Sequence, residues 1–138
     1  MSEVINLIAN SEWDELYRIA KGNVNHTKIS PYVTIGFVSS TIKSKTGKIY
    51  TGVCVDACCG LGICAERNAL TTMLAAGDFQ IDKIVTVDEN FKICPPCGAC
   101  RELLAQILPE KDVKIAVAGD EKEITVMTLK KLIPESWV

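Results

Sequence analysis

What most limits the fold and chemistry open to this chain is where its cysteines stand. All seven (Cys54, Cys58, Cys59, Cys64, Cys94, Cys97 and Cys100) fall between positions 54 and 100 of 138 residues. An odd number cannot close completely into pairs, and the opening Met1-Ser2-Glu3-Val4 lacks the basic-then-apolar order of a secretory leader. A secreted disulfide scaffold is therefore disfavoured, metal binding is favoured, and the expected location is cytoplasmic.

The remaining composition describes the setting of that cluster. A chain of this length fits one domain, residues 1–138, with a single core. It is 48% hydrophobic and 23% charged, with a net charge of -2, so it is neither a disordered polyelectrolyte nor a basic protein drawn to phosphate backbones. Expected partners are small molecules, with no nucleic acid and no membrane.

Periodicity places the cysteines on elements. Apolar residues from Glu3 to Lys21 recur at helical spacing with an interruption at Asn10-Ser11, and a polar loop carries the chain to Pro31. Strands are expected over 33–42 and 48–55, joined by a turn at Thr46-Gly47, and over 84–87, 113–118 and 123–127. Helices are expected over 65–76, ending at Gly77, over 98–108, ending at Pro109, and over 128–133. This alternation predicts an α/β fold, a sheet with helices on both faces.

Cys64 then stands at one helix start, while Cys97 and Cys100 stand on the first turn of another. Three thiolates and an open fourth position satisfy zinc in a catalytic site, and helix N-termini favour the ionised thiol. Glu66, two residues past Cys64, can reach a water at the metal without ligating, which suits a proton shuttle. Three thiolates on Zn2+ leave a net negative site, so a cation should offset them; Arg67 and Arg101 are the candidates.

Cys64-Ala65-Glu66-Arg67 followed by Pro96-Cys97-Gly98-Ala99-Cys100-Arg101 resembles the signature of the small zinc-dependent cytidine deaminases. The likeness extends to Gly52-Val53, Gly60-Leu61 and the Leu-Ile-Pro ending with Trp137. It implies a three-layer α/β/α fold around a mixed five-stranded sheet, a Zn2+ cofactor, a homotetramer with shared active sites and a place in pyrimidine salvage. It also implies that Cys64, Cys97 and Cys100 hold the metal, that Glu66 is catalytic, and that Arg67 hydrogen-bonds the thiolates. The reaction implied is hydroxide attack on the amine-bearing carbon of a cytidine-like ring, with release of ammonia. Substrate contacts carried over by position are Val33, Cys54, Asp56, Ala65 and Trp137.

The sequence departs from that family at the substrate. Cys54-Val55-Asp56 stands where the family has Asn-x-Glu, the segment before Cys64 is about one residue shorter, and Val33 replaces an aromatic. The blasticidin S deaminases also shorten this segment, so a modified cytosine nucleoside or another aminopyrimidine is the alternative substrate. Two other readings are a non-catalytic zinc site closed by Cys58, Cys59 or Cys94, and a thiol-based protein using Cys94-Pro95-Pro96-Cys97. Cys54, Cys58 and Cys59 are otherwise expected to be small buried fillers, and His26 an ordinary surface residue.

Overall fold

The first segment corrects the periodicity reading. In a computed structural model of the protein, which describes residues 2–138, Glu3–Asn6 is a strand, β1, and not part of a helix. Ile5 and Leu7 are buried while Val4 and Ile8 are exposed, a two-residue alternation that a helical template matched by coincidence. The helix begins after the interruption, as α1 (Ser11–Asn23), where the side chain of Asn10 accepts the N–H of Trp13 and caps it.

The chain continues through β2 (Thr27–Lys28), β3 (Val33–Ser44), β4 (Ile49–Ala57) and a 3-10 turn at Cys58–Gly60. It then forms α2 (Ala65–Ala75), β5 (Ile81–Val87), α3 (Gly98–Ile107), β6 (Lys114–Gly119), β7 (Glu123–Thr128) and the short α4 (Leu129–Leu132). The five expected strands are all present. The sheet nevertheless has seven, because β1 pairs antiparallel with β7 and the two-residue β2 pairs antiparallel with the start of β3. Both additions depend on a partner distant in sequence or on a very short ladder, which leaves little trace in periodicity.

The order runs β1-β7-β6-β5-β3-β2, with β4 also paired to β3. Only β5 and β6 run parallel, so the sheet is mixed. On one face Trp13, Leu16, Tyr17 and Ala20 of α1 pack on Val85, Val87, Ala116 and Ile124. On the other, Ala69, Leu70 and Met73 of α2, Leu104 and Ala105 of α3, and Leu129 of α4 pack on Ile42, Ile84 and Ile115. The three-layer α/β/α arrangement stands.

Gly52 sets how closely α2 approaches the sheet. A Cβ there would lie 2.4 Å from the backbone nitrogen of Ala69 and 2.8 Å from the carbonyl oxygen of Ala65, so only glycine admits the helix at this height. The first turn of α2 carries the candidate site, and it is fixed to the sheet through this contact.

Candidate active site

Each of the two sulfur-bearing helices starts on a cysteine. Cys64 is the N-cap residue of α2 and Cys97 that of α3, with Cys100 one turn further on. Cys97 Sγ lies 3.4 Å from Cys64 Sγ and 3.4 Å from Cys100 Sγ, and all three sulfurs lie within 4.8 Å of one another. A tetrahedral ion with metal–sulfur bonds of about 2.3 Å requires sulfurs about 3.8 Å apart, and the two 3.4 Å separations lie close to that value. The donor set fits zinc. Among the described residues no fourth cysteine, histidine or carboxylate joins this group, which leaves one coordination position open.

The thiols do not share one electrostatic state. Burial pushes Cys97 up, but donation from the Cys100 and Ala99 backbone N–H groups and from the two neighbouring thiols brings it below the usual thiol range. Cys100 is driven well above that range by burial first, then by the charge of Glu66 and the adjacent sulfurs. The expectation of uniformly lowered thiols therefore holds for Cys97 and fails for Cys100, which is fully buried.

Glu66 follows on the first turn of α2 and is only 5% exposed. Burial raises its carboxyl above the ordinary value, against the opposing effects of its own backbone N–H and of Arg67. Arg67 donates from Nη2 to Cys64 Sγ at 3.5 Å. Arg101 does something different: Nε donates to the carbonyl of Pro96 at 2.8 Å and Nη1 to that of Leu132 at 3.0 Å. Of the two arginines weighed from sequence, Arg67 is the one at a sulfur.

The substrate candidates divide. Val55, between Cys54 and Asp56, and Ile63, next to Cys64, exchange both backbone hydrogen bonds at 3.0 Å, which ties the end of β4 to the approach to the site. Cys54 is 8% exposed, and its sulfur accepts the N–H of Val38 at 3.3 Å. Asp56 is exposed, Val33 half-buried at the start of β3, and Ala65 buried at the first position of α2. Trp137 is 81% exposed.

One further expectation needs correction. Cys58 and Cys59 are exposed, not buried fillers, because the 3-10 turn that carries them lies outside both packed clusters. His26 is exposed, as expected, and stacks on Phe37 with ring centroids 3.8 Å apart, a contact made by β2 folding against β3. Cys94 is not an activated thiol, since burial and then Asp88 and Glu66 push it up to about 11, which argues against thiol–disulfide chemistry. Separately, a cleft of 620 Å³ between α1 and the Phe91 turn includes no cysteine, and Arg18–Asp14 and Lys21–Glu121 pairs occupy its wall.

A three-sulfur site with a buried carboxylate beside it, carried on two helix starts against a mixed sheet, defines a zinc-dependent hydrolase. The chain belongs to the cytidine and deoxycytidylate deaminase family: the zinc-binding region of that family matches residues 11–117. The chain is 32% identical over 101 residues to a cytidine deaminase of Halalkalibacterium halodurans, covering 72% of this chain and 76% of that one. It is also 32% identical over 106 residues to a blasticidin-S deaminase of Bacillus cereus, covering 70% and 74%. Its fold matches the crystal structure of cytidine deaminase from Mycobacterium leprae with a TM-score of 0.72 at 27% identity, over 89% of this chain and 98% of that one. Zinc is its cofactor.

Proposed function

We propose that this protein hydrolytically deaminates a cytosine-bearing nucleoside, with Cys64, Cys97 and Cys100 as zinc ligands and Glu66 as the group that moves protons. The observation that carries this reading is the pairing of an open three-sulfur site with a carboxyl whose pKa is raised by burial. Bound zinc supplies Lewis acidity toward water. Glu66 would take the two protons of the attacking water in turn, passing the first to the ring nitrogen as the water oxygen bonds to the ring carbon and the second to the amine as the carbon–amine bond breaks, a task suited to a carboxyl poised above its ordinary value. Arg67 draws charge from the Cys64 sulfur and so keeps the three thiolates from quenching the site.

Asp56 is the proposed polar contact to substrate, with Val33, Ala65 and Cys54 lining its approach. Trp137 is proposed to reach a neighbouring copy in a homotetramer, and the exposed Ile29, Tyr32 and Leu61 are consistent with surfaces covered by assembly. A cytoplasmic role in pyrimidine salvage belongs to the same reading. A second substrate, a decorated nucleoside of the blasticidin S type, is favoured by Cys54 and Asp56 standing where Asn and Glu bind a ribose and its base. The test is ammonia release by the zinc-loaded protein from cytidine, deoxycytidine, cytosine and blasticidin S. Turnover of the nucleosides supports the first reading, turnover of blasticidin S alone the second, and no release from any of them overturns both.

A further inference from the structure

Of the three sulfurs, that of Cys97 belongs to the least buried residue: Cys100 is fully buried and Cys64 half-buried, while Cys97 is exposed. Packing therefore does little to fix its direction. The two residues before it are prolines, which have no N–H to tie the approach to a neighbour. Pro96 is itself buried, so its carbonyl needs a donor.

Arg101 supplies that donor and a second bond beside it. Its side-chain Nε donates to the Pro96 carbonyl at 2.8 Å, and its backbone N–H donates to the Cys97 carbonyl at 3.0 Å. One residue thus holds the carbonyls on both sides of the Cys97 Cα. The remaining arm of the guanidinium, Nη1, donates to Leu132 at the end of α4 at 3.0 Å, which anchors the clamp to a different element.

We propose that Arg101 is a positioning residue for the metal site, holding exposed Cys97 at ligand distance by clamping the Pro96–Cys97 backbone to α4. It does not offset thiolate charge, and it has no part in the proton transfers assigned to Glu66. The proposal rests on Cys97 being a ligand.

The experiment follows zinc release from purified protein to a chromophoric chelator, well below the unfolding temperature, with metal content measured first. Arg101→Met should release zinc at least tenfold faster than wild type, because no side-chain donor then meets the Pro96 carbonyl. Arg101→Lys, with a point charge that cannot hold both carbonyls, should fall between them; it serves if Arg101→Met does not fold. Asp78→Ala, which breaks a hydrogen-bond cluster at the far end of α2, controls for general loss of stability and should release zinc at the wild-type rate. With cobalt in place of zinc, Arg101→Lys should also alter the thiolate-to-metal charge-transfer bands while the far-ultraviolet circular dichroism stays unchanged. Wild-type release rates in both Arg101 variants, or equally fast release from Asp78→Ala, would overturn the proposal. Full zinc retention by Cys97→Ala would overturn the ligand reading instead, and this proposal with it.

Discussion

The thiol of Cys54 points at the carboxylate of Asp56, with Sγ 3.7 Å from Oδ2, while the same sulfur accepts the N–H of Val38. Burial pushes the Cys54 thiol up, so at neutral pH it remains protonated and can donate to Asp56. The residue at position 54 is thus engaged within the protein and has no free amide to offer a ribose hydroxyl. Cytidine should be a weak substrate as a result. Its kcat/KM is expected at least about tenfold below that of the best compound in the panel, roughly 1.4 kcal/mol of transition-state binding. Steady-state kinetics check this, and equal efficiency on cytidine would show that another group meets the ribose.

Replacing Glu66 with Gln should leave zinc content and thermal stability close to wild type. Turnover should fall by roughly 10²–10⁴-fold or more, because an amide cannot shuttle protons between water and leaving amine. Metal analysis and rate measurement on the same preparation separate the two effects. An active Glu66→Gln variant holding full zinc would remove Glu66 from the mechanism.

Gly52→Ala should loosen the site from behind. The added Cβ meets backbone atoms of α2 that cannot rotate away, so the helix must lift from β4. Overpacking of this kind destabilises by about 1–3 kcal/mol. Denaturant unfolding should record that loss, together with weaker zinc retention as Cys64 moves away from Cys97. An unchanged midpoint would mean that α2 accommodates the methyl group freely.

Asp78 offers a pH test that does not involve the metal. Hydrogen bonds from the Ser44 hydroxyl first, and from Gln80, Thr46 and Tyr50, outweigh burial and hold its carboxyl below the usual value of 3.8. A depressed carboxyl stabilises the fold above its unfolded-state pKa and loses that contribution as pH falls through the folded one. The melting temperatures of wild type and Asp78→Asn should therefore differ at neutral pH and converge as pH drops below about 4. A constant gap would indicate that charge on Asp78 contributes nothing.

The three-sulfur cluster and the carboxylate proposed to carry protons could be picked out from the sequence because their spacing is local. Cys64 and Glu66 lie on one helix start and Cys97 and Cys100 on another, and the three-residue step between the latter pair already puts both sulfurs on one side. Five strands and the helices carrying the site were equally readable from period and punctuation. The sequence could not place β1, whose apolar residues fit two periods, since its pairing with β7 spans almost the whole chain. Nor could it separate Arg67 from Arg101 by residue type alone. Which guanidinium faces sulfur and which braces Pro96 and Leu132 depends on where α4 returns to meet α3. The same holds for Cys54, whose partners Val38 and Asp56 meet it only once β3 and β4 are in register. Local spacing singled out the three sulfurs and the carboxylate; long-range packing decided which neighbours hold them in place, because those contacts join residues with no periodic relation along the chain.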